Sequence, residues 1–155
     1  PGLSKLKRQA QVMLEGKPQK LESPTLPNTP CEVYFDMESD PFSETEYLFG
    51  LLVVEDGKER LEYFIAKTPE EERKVFEKFM ARMKQLLRDG PELAIYHYHH
   101  YEPKHVERLV EKYGGSSLLK DIQDHMVDLL PIIRKSVVDG VSIALKIFSQ
   151  HLMIL

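Results

Sequence analysis

The chain has 155 residues, 42% of them apolar and 30% charged, with a formal net charge of -4. That length suits one compact domain plus a tail, and the composition excludes a disordered chain and leaves no run near the roughly 18 apolar residues a membrane-spanning helix needs. The acidic balance removes any global electrostatic case for a nucleic-acid partner, so such a function has to come from a site.

No secretory signal is legible in PGLSKLKRQAQ, which gives a cytoplasmic expectation with no membrane contact. The start at Pro1 and the apolar end HLMIL give the expectation of a piece of a longer protein, truncated at its C-terminus. The single Cys31 has no partner for an internal disulfide and reads as a buried small hydrophobe.

Leu3, Leu6, Ala10, Met13 and Leu14 recur at helical spacing and predict an amphipathic helix over 3–15, stopped at Gly16. Within residues 1–21, Lys5, Lys7, Arg8, Lys17 and Lys20 face a single acid, Glu15, which suits either a solvated tail or a phosphate contact. Residues 17–30 hold four prolines without periodicity and read as a linker, so residues 1–30 are expected to be a basic helix and linker from a preceding domain and 31–155 the domain itself.

Val33, Phe35 and Met37 alternate with polar neighbours, the period-2 signature of a strand, and this places Asp36 and Glu38 on one face. Strands over 46–54 and 60–65 follow, joined by a hairpin turn at Asp56-Gly57. Thr68-Pro69-Glu70-Glu71 reads as a capping box opening a helix whose apolar face runs from Val75 to Leu87 and which ends at Asp89-Gly90-Pro91. Residues 93–96 read as a short parallel strand, and a second helix is expected from Pro103 to Tyr113, closed by Gly114-Gly115. Residues 117–124 are ambiguous, 126–130 fit a brief buried strand, and 131–138 a helix. The order predicts an α/β fold on a mixed sheet, three antiparallel strands followed by α-β-α units.

Two carboxylates on one strand face repel unless something offsets them, and a divalent cation with oxygen ligands is a common remedy. Spacing alone leaves open a solvated strand edge for Asp36 and Glu38. Glu102, directly before Pro103, falls at or near a helix N-cap, where capping and ligation are both open readings. His97, His99, His100 and His105 are close in sequence, with His97 and His99 on one expected strand face. No third ligand at zinc spacing accompanies them, and one histidine orienting substrate or a nearby carboxylate is the better reading.

The segments VYFDMESDPFSETEYLFGLLVV, TPEEERKVFEKFM, AIYHYHHYEPKHVERLVEKYG and VDLLPIIRKSV, in that order, resemble the RNase H-like domain of bacterial RecB-like nucleases. The resemblance implies an RNase H-like fold similar to the DEDD exonucleases, a metal-dependent 3′–5′ exonuclease activity on DNA or RNA, and a two-ion site for Mg2+ or Mn2+. It implies metal binding by Asp36, Glu38 and Glu102, the last standing where the family has Asp, and a metal-proximal place for Asp128. A neighbouring RecB- or Cas4-like nuclease domain, sometimes with a helicase, is the implied partner. The last family acid is expected on a helix after Ser142–Lys146, and none follows there. That departure makes a catalytically silent RNase H-like module the alternative, one that binds nucleic acid or scaffolds its neighbour.

Overall fold

A computed structural model of the chain describes residues 2–90 and 92–138. They fall into two compact units, one formed by Pro27–Leu129 and the other by the two ends of the chain. Among the described residues no helix is long and apolar enough to cross a membrane.

The Pro27–Leu129 unit is built on a five-stranded sheet. Strand β2 (Cys31–Asp40) pairs antiparallel with β3 (Thr45–Glu55), which pairs antiparallel with β4 (Lys58–Ile65). Strands β5 (Leu93–His97) and β6 (Met126–Asp128) add in parallel on the other side of β2, giving the order β4-β3-β2-β5-β6. This is the α/β mixed sheet that the sequence pattern implies. The β3–β4 turn is tight because Asp56 and Gly57 both take positive φ, 51° and 71°, the geometry that matches the twist of a two-residue hairpin.

One face of the sheet is apolar and packs on α2 (Glu72–Asp89). Val33, Phe35, Phe49, Leu51 and Val53 face Phe76, Phe79 and Met83, all at most 1% exposed. Phe79 is the hub, with ring centroids 5.0 Å from both Phe35 and Phe49 and 6.3 Å from Phe76. Helices α3 (Tyr101–Tyr113) and α4 (Ser116–Asp124) complete the layer, contributing Val106, Leu109 and Ile122, each 0% exposed. Glu62 of β4 ties the sheet edge to α2 through two hydrogen bonds from Arg82, at 2.7 and 2.8 Å.

In the terminal unit, α1 (Gly2–Glu15) keeps Leu3, Leu6, Met13 and Leu14 exposed and buries Val12. Residues read as linker form a short strand, β1 (Gln19–Lys20), antiparallel to β7 (Val137–Val138), extended by the Leu21 N–H to the Ser136 carbonyl at 2.8 Å.

Several local expectations are corrected. The capping box is not made: a 3-10 turn over Pro69–Glu71 precedes α2, Thr68 makes no side-chain cap, and Glu71 reaches back to the Lys67 N–H instead, at 2.8 Å. Helix α3 begins at Tyr101 rather than Pro103, so Glu102 lies inside its first turn and His100 takes the N-cap. The strand ends at His97, and His99 sits in the following turn with φ 68°, so the two histidines share no strand face. Strand β6 stops at Asp128 because the chain turns directly into α5 (Leu129–Ser136), with Pro131 in its first turn where a missing N–H is tolerated. The ambiguous stretch is helix α4. The place expected for a last acid, beyond Ser142–Lys146, lies outside the described residues, as does Pro91.

The ring cluster makes a direct prediction. Phe79→Ala should lower the unfolding free energy by about 3–5 kcal/mol, the usual effect of emptying a buried aromatic site. Phe42→Ala, at a side chain 97% exposed, should change it by less than about 0.5 kcal/mol in the same urea titration.

Candidate active site

β2 is the central strand, and its alternation turns Asp36 and Glu38 away from the face packed on α2. Gly50 lies directly across from Asp36 on β3, so that strand puts no side chain beside the carboxyl. On the other flank the parallel register ends at Tyr34↔Tyr96, so the chain leaves β5 near the level of Asp36 and swings into α3. The first turn of α3 then delivers Glu102, 3% exposed, against Asp36.

The two carboxyls lie close enough for each to bear on the other's ionisation: Glu102 favours the charged form of Asp36, and the charge of Asp36 raises Glu102. Burial pushes the Glu102 carboxyl up to about 7 against two backbone N–H bonds, its own and that of Tyr98, and the charges of Asp36 and Asp128 add to the rise. Asp36 is raised as well, first by burial and then by Glu38.

Asp128 closes β6 next to His97 of β5 and accepts the His99 N–H at 2.9 Å, fixing the turn that leads into α3. His97 is 5% exposed, with Nδ1 3.8 Å from Glu102 Oε2, beyond hydrogen-bonding distance, and both atoms are buried without a partner. Burial lowers the basicity of the His97 ring, partly offset by Asp128. Burial therefore favours the neutral imidazole beside the carboxyl.

The structure thus brings Asp36 and Glu102 into contact and sets Asp128 and Glu38 within electrostatic reach, Glu38 being exposed at the mouth. The acids stand in pairs: among the described residues no three His, Cys, Asp or Glu side chains are placed to hold a metal ion. The donor set nonetheless suits a hard divalent cation, being all oxygen, with a buried unpartnered Glu102 oxygen and two carboxyls that burial and neighbouring negative charge make harder to ionise. A cavity of about 370 Å³ lies at the other end of β2, near Cys31, Arg60 and Arg82, away from these acids. Both guanidiniums there are already paired with Glu62, and Cys31 is buried with its thiol pushed up by burial and by Glu55.

A family model of the RNase H superfamily matches residues 33–154. The chain belongs to the RNase H superfamily. Searches of curated proteins and of solved structures found no match. The matched span contains every acid described above.

A second polar cluster of this RNase H superfamily domain escaped sequence reasoning. Glu46 of β3, 0% exposed, accepts hydrogen bonds from His105 Nδ1 and Arg108 Nη2 of α3. Glu72, 1% exposed at the start of α2, accepts from the Glu46 N–H at 2.7 Å, from Lys112 Nζ at 2.6 Å and from the Tyr113 hydroxyl. Burial alone would raise the Glu72 carboxyl, but these donors outweigh it and hold the group below its usual range. The only signal in the sequence was the recurrence of His105, Arg108 and Lys112 on one side of an amphipathic helix.

The electrostatics of Glu102 set a pH dependence. A carboxyl that ionises less readily in the folded chain favours folding at low pH; that contribution is complete below the ordinary 4.5 and is lost as pH rises through about 7. In EDTA, the urea midpoint should therefore fall between about pH 5 and about pH 8, with a slope of at most about 1.4 kcal/mol per pH unit. Glu102→Gln should flatten that slope, and an unchanged slope would show that the group does not retain its proton.

Proposed function

We propose that the protein is a metal-dependent nuclease domain that hydrolyses phosphodiester bonds of DNA or RNA, acting as a 3′–5′ exonuclease through a two-ion site for Mg2+ or Mn2+. The observation that carries this reading is the placing of buried Glu102 against Asp36 of the central strand, two residues from the exposed Glu38. Superfamily membership supports the reaction class; the direction of degradation rests on the resemblance to DEDD exonucleases.

Asp36, Glu102 and Glu38 are the residues that would hold the cation, with Asp128 steadying the turn behind them. A bound divalent ion would supply a nucleophilic water at neutral pH and neutralise charge on the phosphate. The chain's own contribution is positional. β2 fixes Asp36 from the sheet centre and α3 brings Glu102 to it. His97, held neutral by burial, lines the site 3.8 Å from the Glu102 carboxyl without adding a positive charge. Glu38, at the surface, can turn toward the pair.

In this reading residues 31–155 form the nuclease domain and residues 1–30 belong to a preceding one, such as a RecB- or Cas4-like nuclease domain that works with a helicase. Two points, one from the resemblance and one from the structure, favour a second reading, a silent RNase H-like module that binds nucleic acid or scaffolds that neighbour. Glu102 stands in the place of an Asp, and no three ligands converge among the described residues.

Degradation of end-labelled single-stranded DNA and RNA in Mn2+ separates the two. Asp36→Asn should reduce the rate by at least about 100-fold and abolish Mn2+ binding by calorimetry, with the fold retained. Glu102→Gln should weaken Mn2+ binding more than Glu107→Gln, an exposed residue further along α3. A parent chain that binds Mn2+ and nucleic acid but degrades neither strand would establish the silent module.

A further inference from the structure

An acid cluster repels the polyanion it is to act on, so a nuclease of net charge -4 needs local cations to seat the strand. Helix α3 carries such a set. At 3.6 residues per turn, Tyr101, His105, Arg108 and Lys112 fall in a band about 60° wide and about 16 Å long, starting beside Glu102. Glu107 and Glu111 of the same helix fall outside that band.

The band is built rather than incidental. Tyr101 is 37% exposed, its hydroxyl is 2.5 Å from Ser39 Oγ on the strand that bears Glu38, and its ring stacks on His105 at 4.0 Å. Beneath it lie two fully buried carboxyls: Glu46 holds His105 and Arg108, and Glu72 holds Lys112. The anions are inside and the cations outside, since the Arg108 and Lys112 side chains remain 41% and 52% exposed. Glu46 Oε2 and Arg108 Nε are buried without a partner. The Tyr101 hydroxyl also lies within electrostatic reach of Glu46, Glu38 and Glu102, so the band adjoins the acid site.

We propose that this band of α3 is the track along which a single nucleic-acid strand enters the acid site, Arg108 and Lys112 binding successive backbone phosphates and the Tyr101 ring stacking on a base next to the reacting one. The inference rests on the nuclease reading for the strand's destination, but not for its binding. The recognised chemistry is a phosphodiester backbone with an unpaired base, common to DNA and RNA. Glu46 and Glu72 act as positioning residues, holding the cations at fixed places along the helix.

The test is fluorescence anisotropy of a short labelled single-stranded DNA or RNA in EDTA, where no cleavage occurs, across a salt series. Arg108→Gln and Lys112→Gln should each weaken binding and lower the slope of log affinity against log salt by about one. Tyr101→Ala should weaken binding about tenfold without changing that slope, and Tyr101→Phe should retain most of the affinity. Lys120→Gln, on α4 and 79% exposed, is the control and should bind nearly as the parent. Arg108→Gln keeps a donor for Glu46; if it still unfolds, Lys112→Gln and Tyr101→Ala decide. Folded variants with parental affinity and slope would overturn the track while leaving the nuclease reading intact if the parent degrades nucleic acid in Mn2+. A parent that binds through these residues yet never degrades would sink the nuclease reading and keep the track. A parent that binds no strand in EDTA would overturn the track, and degradation in Mn2+ then decides the nuclease reading on its own.

Discussion

Two buried glutamates tie down α3, whose apolar side already packs in the core through Val106 and Leu109, and so bear on the position of Glu102. Removing a carboxyl from water costs several kcal/mol, and an apolar pair of the same volume often stabilises a fold as well or better. Glu72 recovers that cost through three donors, whereas Glu46 leaves one oxygen bare. What hydrogen bonds add over apolar packing is direction. Bonds at His105, Arg108, Lys112 and Tyr113 fix both the rotation of α3 and its shift along its axis. Glu102 lies one turn before His105, so the same bonds aim it at Asp36.

The domain therefore contains two kinds of buried acid, and their environments push them in opposite directions. Glu72 is held ionised by Lys112, Tyr113 and the Glu46 N–H, even though burial opposes this. Glu102 is raised because burial and the charges of Asp36 and Asp128 outweigh its two backbone donors. A lysine reaches one acid and more acids surround the other. Structural ion pairs resemble the first case, while sites that await a cation or handle protons resemble the second.

The fold was largely legible because its signals were local. Alternation in β2, the Asp56-Gly57 turn and the apolar face of α2 each follow from a few adjacent residues, and all appear in the structure. Asp36, Glu38 and Glu102 could be singled out because a strand period and a helix start have positional meaning. Boundaries failed where tertiary contacts decide. The Thr68 cap is unused because Glu71 closes the turn on the Lys67 N–H, and α3 starts two residues early because Asp128, distant in sequence, holds the His99 turn. The Glu46 cluster was illegible for the same reason, since its partners lie 59 and 62 residues away.

The four acids are consequently unequal in what they can do. Buried Glu102 stands against half-buried Asp36 and both ionise less readily than usual, while Glu38 at the mouth has the freedom of an exposed side chain. Asp128 spends one oxygen on the His99 N–H, which makes it a strut between β6 and the turn before α3. Its charge still reaches Glu102 and His97. Loss of the Asp128 side chain would act on the site twice, loosening the backbone that presents Glu102 and removing one of the charges that raises it. A substitution preserving the acceptor without the charge, Asp128→Asn, separates these effects: the turn stays in place while Glu102 ionises more readily.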